Sequence, residues 1–259
     1  MKKKLLVTVF VLLLSLLGCS NNENKIEYTQ IKFKQKLETL KKYDGKYVKI
    51  IGFMSTLSPL QGKYVYLMNM PYQQCPFCVP NSNEIANTLA VYAPEGERFD
   101  FVDYPVEARG KLEFGDFKDE GGFEYKVRMV DAEIKKADVS NMSNEIKLYT
   151  NLVDKGFAKD FTSITEEALK TVKYKENGVS PQEVKKIDMS KFDNMYKLID
   201  SLGRDKYKKP LEALDMLKYA VEAINKDIES GNVEKLELHA NDVVNAYNLF
   251  YEWLISPNL

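Results

Sequence analysis

Val106-Glu-Ala-Arg-Gly-Lys-Leu-Glu-Phe114 decides the architecture of the first half of this 259-residue chain. Val106, Ala108, Gly110, Leu112 and Phe114 alternate with Glu107, Arg109, Lys111 and Glu113, the period-two pattern of a strand buried on one face. Downstream, Gly115–Gly122 reads as a hairpin, and Phe123–Ile134 is long enough for a second strand that changes faces around a bulge. Upstream, Tyr47–Met54 places Val48, Ile50 and Met54 on one face, with Gly52 at a bend. Tyr64–Met68 follows a Pro59/Gly62 turn, and the apolar run Thr88–Ala93 ends at Pro94-Glu95-Gly96. Ile31–Tyr43, with apolar residues at 33, 37 and 40 among lysines, reads as a short amphipathic lead-in helix.

Five strands with a glycine-bent first strand and a V-x-A-x-G-x-L fourth strand resemble an OB-fold over residues 44–137. The resemblance implies a five-stranded, partly open barrel whose ligand surface lies around strands two and three. Residues 19–137 hold 17 basic and 17 acidic groups, so no basic stripe supports the nucleic-acid role common among such barrels.

Met70–Asn87 is a run of 18 residues with neither strand nor long-helix character, punctuated by Pro71, Pro76 and Pro80. Structureless loops of this length are uncommon in compact domains and often functional. This one carries Cys75-Pro76-Phe77-Cys78, two of the three cysteines of the chain. Three readings of the pair stand open. In an oxidising compartment it forms a structural disulfide. As two thiolates it chelates Zn or Cu(I), with Met68 and Met70 as auxiliary thioethers and a further ligand from a carboxylate or a partner. As a dithiol, C-P-F-C resembles the glutaredoxin motif and implies a thiol–disulfide oxidoreductase. Val79-Pro80-Asn81 departs from that family where its helix continues, because a residue before proline avoids the helical region.

The N-terminus sets the compartment. Lys2, Lys3 and Lys4 precede the apolar run Leu5–Leu17, whose 13 residues fall short of the ~20 that span a bilayer. Leu16-Leu17-Gly18-Cys19 resembles the lipobox of bacterial lipoproteins. That implies a signal peptide over 1–18, lipidation of Cys19, a tether over 19–29 and anchoring to the extracytoplasmic face of the cell membrane. Without residues 1–18 the chain holds 34 Lys+Arg against 38 Asp+Glu, a formal net charge of −4 that gives nucleic acid no handle.

The run from Asp44-Gly45-Lys46 through Gly52-Phe53-Met54 and Tyr66-Leu67-Met68 to the Cys pair resembles OB-like lipoprotein domains of uncharacterised bacterial families. That likeness implies transport or metal handling, with a transporter as the protein partner.

After Ala137 the period changes to about 3.6 residues. Met142, Ile146, Tyr149, Val153 and Phe157 form one stripe, and Phe192, Met195, Ile199 and Leu202 a second that ends at Gly203. Leu214, Leu217, Val221, Ile224 and Ile228 form a third, stopped by Ser230-Gly231-Asn232. Leu236, Ala240, Val243, Tyr247, Phe250 and Leu254 form the fourth. Ser163–Glu166 and Ser180–Glu183 both match a capping box. The single histidine, His239, flanks the last stripe and reads as structural.

These patterns predict an α+β, two-domain chain: an OB-like β-barrel over 30–137, then an antiparallel α-helical bundle over 138–259. No phosphate-loop, dinucleotide, zinc-protease or serine-hydrolase motif is present, and Asp116, Asp119 and Glu120 lack EF-hand spacing. The expected role is a membrane-anchored binding or accessory module working through Cys75 and Cys78. The oxidoreductase and a scaffold with a structural disulfide are the alternatives.

Overall fold

A computed structural model describes residues 26–72, 87–257 and 259. Cys19, Cys75 and Cys78 lie outside the described residues. The chain is a mixed α/β protein in which a six-stranded sheet precedes C-terminal helices. The strands are β1 (Thr29–Gln30), β2 (Tyr47–Met54), β3 (Tyr64–Met68), β4 (Thr88–Tyr92), β5 (Val106–Lys118) and β6 (Glu124–Lys136).

β2 pairs antiparallel with β3 through Phe53↔Met68 and Met54↔Leu67, and β3 with β4 from Tyr64↔Tyr92 to Met68↔Thr88. β4 runs parallel to β6 at Ala90↔Arg128 and Val91↔Met129, and β6 pairs antiparallel with β5. β5 then returns to β2, from Tyr47↔Lys111 to Gly52↔Val106, so the pairings form a circuit. β1 lies parallel to β2 at Thr29↔Val48 and occupies the stretch of that edge that β3 leaves open.

Alternation explains which face is buried. Val48, Ile50, Val65, Leu67, Leu89, Val91, Ala108, Leu112 and Met129 fill one core, joined by Ile31, Phe33 and Leu40 from the lead-in segment. That segment holds only a four-residue helix α1 (Leu37–Leu40) and a 3₁₀ turn (Lys41–Tyr43), with β1 before it. The longer helix expected over 31–43 does not form, because Ile31 N–H and Gln30 are spent on β2 instead. Two glycines allow the tight pairing. A Cβ on Gly52 would lie 2.9 Å from the Met68 carbonyl oxygen, and one on Gly110 2.7 Å from that of Val130. Gly110 coincides with a register shift in the β5–β6 pair, and a second shift falls between Phe114 and Phe117. The hairpin is correspondingly longer than the sequence suggests, with its turn confined to Asp119–Gly122.

The helices are α2 (Asn144–Val153), α3 (Phe157–Val172), α4 (Ser190–Leu202), α5 (Lys208–Glu229) and α6 (Ala240–Leu254). Ser143 caps α2, its hydroxyl accepting the Ile146 N–H at 3.3 Å. The first apolar stripe is split by Gly156 at φ 84°, where α3 begins. Ser163 therefore lies inside α3 and caps nothing, whereas Ser180 and Glu183 do form a capping box, on a short 3₁₀ turn. Phe157, Phe161, Phe192, Leu214, Leu217, Val243 and Phe250 build the helical core, and β2 contributes Phe53 to it. No described helix is long and apolar enough to cross a membrane.

Candidate functional site

The described residues define the base from which the Cys75/Cys78 loop leaves the sheet. Its two ends are held together: Met68 faces Thr88 in the ladder, and the Asn69 N–H donates to the Asn87 carbonyl at 3.1 Å. Met68 is fully buried in β3, which keeps its thioether off the surface, and Met70 is half-buried.

Two residues further on, Tyr72 adopts φ 54°, a left-handed backbone that costs a non-glycine residue about 1–2 kcal/mol. Its side chain and its carbonyl are both engaged, which holds it there. The Tyr72 hydroxyl donates to Asp103 Oδ1 at 2.9 Å, and the Tyr251 hydroxyl of α6 donates to the Tyr72 carbonyl at 3.3 Å. The Tyr149 hydroxyl of α2 donates to the Asp103 carbonyl at 3.1 Å, and the Leu259 N–H to the Asn69 carbonyl at 3.0 Å. Tyr149 in turn meets Phe53 edge-on at 5.5 Å between ring centroids and lies 5.7 Å from the Trp253 ring. The loop base is thus the seam where sheet and helices are stitched together.

Electrostatics here favour neutral groups. Burial raises the Asp103 carboxyl above its ordinary value, an effect that the Tyr72 hydrogen bond partly offsets. Burial first, then the nearby Asp103 charge, pushes the Tyr72 phenol up, and burial does the same to Tyr149. Both phenols remain hydrogen-bond donors through neutral pH. Among the described residues no group of three or more His, Cys, Asp and Glu is arranged to hold a metal ion.

The outer face of β3 and β4, where the OB-fold resemblance implies ligand contact, is filled by the chain itself. Tyr64 and Tyr66 are 2% and 1% exposed and pack with Ala90, Tyr125, Tyr92, Phe117 and Phe123. The tip of the β5–β6 hairpin is tied onto this face, with Tyr66 donating to Asp119 Oδ2 at 2.7 Å and Phe123 N–H to Asp119 Oδ1 at 3.1 Å. Desolvation and the Asp119 hydrogen bond both raise the Tyr66 phenol. Arg128 closes the cluster, its guanidinium 4.2 Å from the Phe117 ring centre and bonded to Glu113 at 2.9 Å.

Two further features escaped sequence reasoning. An apolar cleft of about 400 Å³ opens beside β1, with Ile31, Phe33, Ile51, Met142 and Ile146 in its wall. Its residues are scattered along the chain, so no local pattern marks it. The Tyr72–Asp103 pair was invisible for the same reason. His239 sits at the junction into α6, its Nε2 2.9 Å from Asp227 Oδ2 on α5, which ties the two helices together. No protein-family model matches this chain, nor does any curated protein.

Proposed function

We propose that this protein is a membrane-anchored lipoprotein, attached through Cys19, whose sheet is an OB-like barrel that presents the Cys75/Cys78 loop as a binding site. The strand circuit β2-β3-β4-β6-β5-β2, with β4 parallel to β6, supports the barrel reading. The helices after it serve as the antiparallel bundle that braces the loop base and offers a docking face to a protein partner such as a transporter.

The observation that carries the reading is the clamp on the loop's two ends. Asn69–Asn87, Tyr72–Asp103, Tyr251–Tyr72 and Leu259–Asn69 are four separate hydrogen bonds from three parts of the chain. A base held this firmly fixes the two points that the Cys75/Cys78 loop joins. A shorter separation of its ends favours the approach of two thiolates to one soft metal ion, Zn or Cu(I), or to one partner surface. The covered face of β3 and β4 favours the loop over the usual OB ligand surface.

Thiol state and metal content, measured on protein purified without reductant from its native membrane, test this. Mass spectrometry before and after alkylation counts the thiols, and elemental analysis counts the metal. Two free thiols with near-stoichiometric Zn or Cu support the binding site. A metal-free pair that opens in mild reductant turns the reading to an oxidoreductase. An oxidised pair that resists reduction leaves a structural disulfide on a scaffold.

A further inference from the structure

The lead-in segment gathers positive charge on the outside of one core. Between residues 26 and 46 there are six lysines and three acids, in a chain whose formal net charge is −1. Ile31, Phe33 and Leu40 point into the core and pin the segment down, which leaves Lys32, Lys34, Lys36, Lys41, Lys42 and Lys46 exposed. Lys111 joins them from β5, since Gly45 N–H bonds to the Leu112 carbonyl and Leu112 N–H to that of Lys46. None of these seven lysines has an ion-pair partner among the described residues, whereas Lys49, Lys63, Lys118, Lys126, Lys135 and Lys136 on the same sheet are all paired. Of the acids, Asp44 is turned back onto the Phe114 N–H. Exposed apolar surface lies beside them: Ile26 is 45% exposed, and Tyr47, whose ring meets Tyr28 edge-on, is 40% exposed.

We infer that this lysine ledge, Lys32 to Lys46 with Lys111, is a docking surface for an anionic lipid bilayer and sets the orientation of the protein on the membrane. Lysines held in no ion pair, even where one lies over a ring as Lys42 does over Tyr43, keep their charge available to a distant, diffuse negative surface. Such a surface attracts each nearby lysine without demanding the forked geometry that arginine supplies. A tyrosine and an isoleucine among the lysines suit the headgroup boundary, where amphipathic rings and short apolar side chains settle. The choice of a membrane over other polyanions rests on the lipoprotein reading: Lys32 follows Cys19 by 13 residues, a reach of at most ~45 Å when extended. Docked this way, the ledge adds a second attachment to the lipid. The binding test is independent of lipidation.

The chain from Ser20 to Leu259, which contains every described residue, is prepared without lipid and mixed with sedimenting vesicles. One set is phosphatidylcholine alone, and the other contains about 30 mol % phosphatidylglycerol. The expected partitioning is about tenfold or more stronger on the anionic set, and it weakens as salt rises from about 0.05 M to about 0.5 M. Lys32→Gln, Lys34→Gln, Lys41→Gln and Lys42→Gln together abolish most of that preference. Arginine at the same four positions retains it, which separates lost charge from lost fold. Lys159→Gln, Lys197→Gln, Lys208→Gln and Lys209→Gln on the helices leave it unchanged. Equal binding to both vesicle sets overturns the proposal, as does full binding by the four-glutamine variant. Tighter, ledge-dependent binding to an oligonucleotide at the same salt also overturns it and assigns the ledge to nucleic acid. Because no lipid is attached, a negative result here leaves the Cys19 reading standing, and a failure of lipidation leaves this result standing.

Discussion

Tyr72 and Asp103, 31 residues apart, meet at 2.9 Å through a phenol that donates and a half-buried carboxyl that accepts. The bond joins the last described residue before the Cys75/Cys78 loop to the segment that precedes β5. It also holds Tyr72 in a backbone conformation that few tyrosines adopt. Its partners on both sides come from the helices, so the loop base depends on the helices as much as on the sheet.

Tyr72→Phe keeps the ring and the backbone strain and removes only the donor. It leaves the Asp103 carboxyl with one bond fewer in a desolvated site, at an expected cost of about 1–3 kcal/mol. Urea unfolding measures the cost. Hydrogen exchange locates it: protection falls first at Asn69–Tyr72 and Asn87–Thr88. Unchanged exchange there means the bond does not hold the base.

The same carboxyl makes stability depend on pH. Burial raises the Asp103 value above its ordinary 3.8, so the folded state holds the proton more tightly than the unfolded one. The resulting stability is complete below the unfolded value and is lost as pH rises from 3.8 through the folded value. Asp103→Asn accepts from Tyr72 and has no charge to bury. Its melting temperature minus that of the parent is expected to grow between about pH 3.5 and about pH 7. Parallel melting profiles argue against a raised carboxyl.

Phe53 belongs to β2 by sequence and to the helices by packing. It is 1% exposed and its ring meets Tyr149 edge-on. Phe53→Ala removes the aromatic that joins sheet to helices and is expected to cost about 3–5 kcal/mol. Phe53→Leu, which keeps most of the volume, is expected to cost less than half of that. Denaturant titration distinguishes them. Equal, small losses for both indicate a seam that packs loosely.

Gly110 tests the register of the β5–β6 pair. Its backbone needs no left-handed angle; the objection to a side chain is space, with Met129 Cγ and the Val130 carbonyl oxygen each 2.7 Å from where a Cβ would stand. Gly110→Ala is expected to destabilise by about 1–3 kcal/mol, through strand displacement. Gly96→Ala is the control for space, since nothing lies within 4 Å of a Cβ there; its φ of 83° adds a backbone cost only. Circular dichroism melts rank the two. A Gly110→Ala protein as stable as the parent shows that the bulge absorbs a methyl group.

Strands were legible from the chain because alternation is local. Val106–Phe114 reads the same whichever strand lies beside it, and the burial of β5 alternates with it from Val106 to Glu113, failing only at the half-buried Phe114. The strand ends were less so, because β5 and β6 run on through residues whose outer neighbours are one another. Helical stripes were legible for the same local reason. The Ser163 capping pattern misled because it matches by composition alone. Gly156 at φ 84° had already opened the helix, and the Ser163 hydroxyl instead accepts from Lys191 Nζ at 3.0 Å.

The candidate site divides along the same line. Spacing alone marks Cys75 and Cys78 as a pair, and composition alone marks the lysine-rich lead-in, since both are properties of neighbouring residues. Sequence by itself also determined the order of β2 to β6 and the apolar stripes of the helices, though not β1 or the break at Gly156. Tertiary structure decided the parallel β4–β6 pairing, the return of β5 to β2 and the burial of the β3–β4 face under the hairpin. It also decided the clamp of Tyr72, Asp103, Tyr149, Tyr251 and Leu259. Each of these depends on which distant surfaces meet, and a periodic pattern records only that a face is apolar, not what will cover it.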